Sequence, residues 1–283
     1  MRSELTRRGF FGTASALAAS TAALSVLGRH AEAAPVGPAP LKLGVASYSL
    51  REFSLDQALE MAKTLGIKYM TFKDVHVPRT DPPETIKALR AKIEAAGITI
   101  MGGGTINMPN DRVQIEKDFA YAKNAGFPLI FISPDLAALD IVEEMAKKYD
   151  VVAAIHNHGP EDKKWPRPQD AYAAVKSRDK RLGLCIDVGH TIRTGTDPVQ
   201  SCRECRDRLY DMHVKDLAVK TESKSQVEVG RGVIDFPALF KTLIEIGYKG
   251  QVGLEYEIKA KDPLPGMIES IAYMRGVLAA LST

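Results

Sequence analysis

From Leu41 to the end of the chain, short apolar runs rich in Val, Ile and Leu alternate with longer segments in which apolar residues recur every three or four positions. The short runs fall near 42–48, 68–73, 99–103, 129–133, 151–156, 183–187, 209–215 and 252–257, and each predicts a β-strand. Between the first two, Leu55, Ala58, Leu59, Ala62 and Leu65 repeat at helical spacing and Gly66 supplies a stop signal. The same pattern predicts helices over 84–96, 112–125, 138–149, 168–177, 198–207, 236–246 and 265–281, and a glycine directly follows four of the eight helices. Eight strand-helix units in about 240 residues predict an α/β protein, a single-domain (β/α)8 barrel. An open doubly wound sheet is disfavoured, since it usually needs fewer strands and often carries a GxGxxG phosphate turn, which is absent. Gly102-Gly103-Gly104, after the third predicted strand, reads as a place where the backbone comes close to a neighbour or a ligand.

Ahead of the barrel, Thr6-Arg7-Arg8-Gly9-Phe10-Phe11 precedes an uncharged, Ala-rich stretch and the small-x-small sequence Ala31-Glu32-Ala33. This predicts a twin-arginine signal over 1–33, a Pro-rich tether over 34–40 and a barrel domain over 41–283, with the mature protein periplasmic and free of the membrane. The stretch is too rich in Ala, Ser and Thr to favour a retained anchor.

The leader carries Arg2, Arg7, Arg8 and Arg29 against Glu4 and Glu32, so the formal charge of +3 becomes +1 on cleavage. Near-neutrality gives no footprint for nucleic acid or an anionic bilayer and points to a small-molecule partner. A homo-oligomer stays open. Three cysteines, Cys185, Cys202 and Cys205, are an odd number and do not indicate a disulfide framework.

Candidate chemistry enters with the histidines. Ala154-Ile155-His156-Asn157-His158 ends the fifth run, and period-two alternation puts Ala154, His156 and His158 on one face. The sixth run ends in Asp187-Val188-Gly189-His190, the seventh in Asp211-Met212-His213-Val214-Lys215-Asp216 and the eighth in Glu255-Tyr256-Glu257. Four runs ending this way predict one shared site, because the C-terminal ends of barrel strands meet on one rim.

Asp187-x-x-His190, His213-x-Lys215-Asp216, Gly230-Arg231-Gly232-Val233-Ile234-Asp235 and Glu255-Tyr256-Glu257 resemble the xylose-isomerase-like barrel superfamily of sugar isomerases and epimerases, and the resemblance runs from Leu41 onward. It implies one divalent ion held by the positions of His156, Asp187, His213 and Glu255. The superfamily's usual fifth-strand Glu is His156 here, which shifts the expected metal from Mg toward Mn, Co, Zn or Fe. It also removes one of the two glutamates expected to shuttle protons. The acid/base work is then expected of His158, Lys215, Glu255 and Glu257, and substrate contacts of Lys73, Trp165, His190, Arg193 and Arg231.

The implied activity is isomerisation or epimerisation of a non-phosphorylated sugar or keto-sugar through an enediolate. Two alternatives stand beside it. One is a metal-dependent lyase or hydrolase cleaving keto-glycosides by β-elimination, and the other is a metal-bearing sugar-binding protein.

Overall fold

A computed structural model describes residues 41–282; the predicted leader and tether lie outside the described residues. Eight parallel strands form a closed barrel: β1 (Lys42–Ala46), β2 (Tyr69–Phe72), β3 (Thr99–Met108), β4 (Leu129–Pro134), β5 (Val152–His156), β6 (Leu182–Asp187), β7 (Leu209–Val214) and β8 (Gln251–Leu254). Each pairs with its sequence neighbours, and β1 closes the ring on β8 with Val45 opposite Leu254. The (β/α)8 expectation holds, and every predicted strand is found, displaced at its ends by a few residues.

The expected helices are α1 (Leu55–Thr64), α2 (Pro83–Ala95), α3 (Arg112–Ala125), α4 (Leu139–Tyr149), α5 (Pro168–Val175), α7 (Pro198–Glu204), α8 (Phe236–Glu245) and α9 (Leu264–Leu281). Their apolar stripes pack on the barrel's outer face, where Phe72, Phe119, Phe236 and Phe240 are fully buried. Four helix-stop glycines, Gly66, Gly97, Gly126 and Gly247, adopt φ of +62°, +77°, +70° and +67°, the left-handed turn that a glycine makes without a Cβ penalty.

Two features differ from expectation. A short helix, α6 (Val188–Arg193), starts directly from the last residue of β6, because the Asp187 side chain caps it. The strand β3 runs to Met108, so the three glycines lie inside it rather than after it. A Cβ at Gly102 would stand 2.6 Å from the Leu129 carbonyl, one at Gly103 would run into the Phe127 ring and one at Gly104 would stand 2.5 Å from the Phe131 carbonyl. The backbone approaches β4 and its lead-in, so the neighbour is protein and not a phosphate.

Candidate metal centre and active site

The rim residues owe their positions to where each strand stops. His156 and Asp187 are the last residues of β5 and β6, His213 is the penultimate residue of β7, and Glu255 directly follows β8. All four are buried, and one donor atom from each lies within 4.8 Å of the others. His156 Nε2 is 3.0 Å from His213 Nδ1 and 3.7 Å from Asp187 Oδ2; His213 Nδ1 is 3.5 Å from Glu255 Oε1. Burial and the neighbouring His213 push His156 well below the usual imidazole range. At His213 burial works in the same direction, but the Glu255 carboxylate outweighs it and raises the pKa.

The motif Asp187-x-x-His190 has a local physical cause. Asp187 Oδ1 accepts the His190 backbone N–H at 2.8 Å, closing the first turn of α6. That leaves Oδ2 buried and without a hydrogen bond, 3.2 Å from Lys215 Nζ, 3.7 Å from His156 Nε2 and 3.9 Å from His190 Nε2. Asn157, which the sequence reading passed over, fixes this arrangement: its Oδ1 accepts the Asp187 N–H at 3.0 Å and its Nδ2 donates to Thr191 Oγ1 at 3.1 Å. Its only signal in sequence is its place between two rim histidines.

Two imidazoles and two carboxylates converging on a buried point, with one carboxylate oxygen accepting no hydrogen bond, form a donor set that suits a divalent transition metal. His156, Asp187, His213 and Glu255 could therefore hold an ion, as the resemblance implies. Cys185 groups with His156 and His213 in the same way, and burial and nearby carboxylates push its thiol well up.

Lys215 is buried against this set. Its Nζ lies 3.2 Å from Asp187 Oδ2 and donates to Glu255 Oε2 at 2.8 Å and Glu257 Oε2 at 2.7 Å. Burial disfavours the ammonium, but the Asp187, Glu255 and Glu257 carboxylates outweigh it and raise its pKa well above the ordinary value. These three carboxylates favour the ammonium form of Lys215. It is a charged strut between three carboxylates, whose presence also holds Glu255 well below the usual carboxylate range against the effect of burial.

His158 lies two residues beyond the end of β5, with its ring 4.5 Å from that of His156 and 5.7 Å from that of His190. Its side chain is 35% exposed, and Nδ1 faces Asp162 at 3.3 Å without hydrogen-bond geometry. Burial and then His190 lower its pKa. His190 and Arg193 stand at the edge of the cluster, with Arg193 Nη1 3.2 Å from His190 Nδ1 and its guanidinium paired to Glu161.

Two other expected substrate contacts, Trp165 and Arg231, are placed differently, whereas Lys73 keeps its place at the end of β2. Trp165 is 1% exposed, and its Nε1 donates to the Pro134 carbonyl at 2.8 Å while its own carbonyl accepts the His158 N–H at 3.0 Å. The indole is a buried support for the His158 loop and offers no face to a sugar. Arg231 is exposed and forks onto Glu269 of α9 instead of facing the cluster. Lys73 follows β2, where its Nζ lies 5.1 Å from the centre of the Tyr48 ring.

The remaining motif residues hold backbone. Asp216 Oδ2 accepts the Gly230 and Gly232 N–H groups at 3.0 and 2.9 Å, and a Cβ at Gly232 would stand 2.3 Å from Asp216 Oδ1. The pairing of a His-x-Lys-Asp run with Gly-Arg-Gly thus reflects a carboxylate pinning the loop after β7.

Residues 136–277 match the family described as a xylose isomerase-like TIM barrel. The chain belongs to this family. An inosose dehydratase of Clostridium botulinum is 30% identical over 89 residues, 26% of this chain and 30% of that protein. A 3-dehydro-D-guloside 4-epimerase of Escherichia coli is 29% identical over 107 residues, 38% of each. The matched stretches span less than half the length of these curated relatives. A solved structure of a protein from Parabacteroides distasonis superposes with a TM-score of 0.65 at 25% identity, over 84% of this chain and 99% of that one. Xylose isomerase-like TIM barrels place their chemistry at the C-terminal rim, as the fold class does generally, and the rim of this member is where His156, Asp187, His213 and Glu255 meet.

Proposed function

We propose that this xylose isomerase-like barrel is a divalent-metal-dependent enzyme that removes the proton next to the carbonyl of a non-phosphorylated keto-sugar and returns it with isomerisation or epimerisation. The observation that carries the reading is the buried His156, Asp187, His213 and Glu255 set, in which Asp187 Oδ2 accepts no hydrogen bond, beside the partly exposed imidazole of His158. A divalent ion held by these four residues would polarise a sugar carbonyl and its neighbouring hydroxyl.

The chain's own residues then divide the work. His158 takes the proton from carbon through its ring, being the more exposed imidazole next to the buried pair. Glu257, with its side chain 37% exposed and one oxygen on Lys215, is placed to carry a proton to or from a sugar oxygen. Lys215 keeps Asp187, Glu255 and Glu257 in register, and His190 and Arg193 close the side of the cluster next to His158. The relationship to a sugar epimerase supports reversible proton return.

Elimination is the second reading. The similarity to inosose dehydratases favours it, as does the replacement of one shuttle glutamate by His156, since loss of a leaving group needs no second-face base. The proposed twin-arginine leader supports a periplasmic enzyme and hence a substrate without phosphate.

Solvent-deuterium exchange into keto-sugars tests the proton step. His158→Gln is expected to slow exchange by about 100-fold or more while leaving metal content unchanged. Exchange at the parent rate in that variant would remove His158 as the base. A parent protein that binds keto-sugar yet exchanges nothing would instead be a binding protein.

A further inference from the structure

Beyond the proton-transfer cluster, the rim over β1 and β2 has a different character. A turn of 3-10 helix (Ser47–Leu50) directly follows β1 and presents Tyr48, and Lys73 follows β2. Two cations share the Tyr48 ring: the Arg51 guanidinium carbon lies 4.6 Å from the ring centre and Lys73 Nζ lies 5.1 Å from it. The turn is fastened to the active-site strands. Ser49 Oγ donates to the Leu254 carbonyl at 3.1 Å and accepts the Tyr256 N–H at 2.9 Å, and Ser47 Oγ accepts the Lys73 N–H at 2.9 Å.

Neither cation has a carboxylate within ion-pair distance among the described residues. Arg51 spends one N–H of each Nη on carbonyls, those of Tyr48 and Glu257, at 3.0 and 3.4 Å. The contact with Glu257 is significant because its side chain carries Lys215, so the cationic wall adjoins the cluster through one residue. On the other side the charges match: Asp187, Glu255 and Glu257 face Lys215 and, on the reading proposed above, a divalent ion. Two half-exposed positive charges over one aromatic ring are then left without a counter-charge at the mouth.

We propose that this wall binds a carboxylate on the substrate, so that the enzyme acts on a sugar acid such as a uronate or its keto derivative. Arg51 still has N–H groups free to fork onto a carboxylate, Lys73 adds a point charge, and the Tyr48 ring holds both in place. The inference rests on the proposed function for the location of the reacting carbon. Its own chemistry is the recognition of an anion.

Calorimetric titration of the intact, Mn-supplemented protein with glucuronate, glucose and glucose 6-phosphate tests it without requiring turnover. Glucuronate is expected to bind at least about tenfold more tightly than glucose, and more tightly than the phosphate ester, as a forked guanidinium contact would give. Arg51→Gln and Lys73→Met are each expected to cut the ratio of acid to neutral affinity several-fold. Glucuronate no tighter than glucose, a preference for the phosphate, or an acid preference that survives both substitutions would overturn the assignment. Deuterium exchange is read separately, so loss of the acid preference and loss of the proton-transfer reading are distinguishable.

Discussion

Asp187→Asn is expected to weaken divalent-metal binding by more than about 100-fold, beyond the 10- to 100-fold typical of changes around a metal's direct ligands. The substitution is chosen for what it spares. An amide oxygen in the Oδ1 position still accepts the His190 N–H, so the cap of α6 survives, and Asn157 still holds the backbone at residue 187. What is lost is the charge and the anionic Oδ2, which an amide replaces with a donor facing Lys215 Nζ at 3.2 Å and His156 Nε2 at 3.7 Å. Titration with Mn and Co, with circular dichroism as the control for folding, reads the effect. Parent-like affinity would exclude Asp187 as a ligand.

The second large effect is expected of Lys215→Met, on stability. Removing one partner of a buried ion cluster costs about 3–5 kcal/mol, because the remaining charges stay desolvated. Here three carboxylates lose their common ammonium, two of them with side chains 8% exposed or less. In a barrel of this size the cost corresponds to a fall in Tm of about 10 °C. A saturating divalent ion supplies positive charge to Asp187 and Glu255, so it is expected to stabilise the variant more than the parent and narrow the gap. Thermal denaturation with and without Mn checks both parts. A loss under about 1 kcal/mol, or a gap that metal leaves unchanged, contradicts the role of Lys215 as a strut.

The barrel was legible in sequence because strands buried on both faces must be apolar runs and their helices must carry an apolar stripe. The convergence of His156, Asp187, His213 and Glu255 was legible for a related reason: ligand-type residues stood where those runs stopped. Side-chain direction in loops was not. Trp165 and Arg231 sit in connecting segments with no periodicity to report which way they face, and they turn to the Pro134 carbonyl and to Glu269. The helix α6 is too short for a periodic pattern, and its trace in sequence was the Asp187-x-x-His190 cap itself. The protonation of Lys215 depends on Asp187, Glu255 and Glu257, up to 42 positions away, so it followed only once the strands had been closed into a ring.

Crystals grown with Mn and measured at an anomalous-scattering wavelength test the central claim most directly. The account predicts one strong peak within coordinating distance of His156 Nε2, Asp187 Oδ2, His213 Nδ1 and Glu255 Oε1, with Lys215 still paired to Glu257. A fully folded protein with no peak among those four atoms, or with its metal bound by other residues, would contradict it.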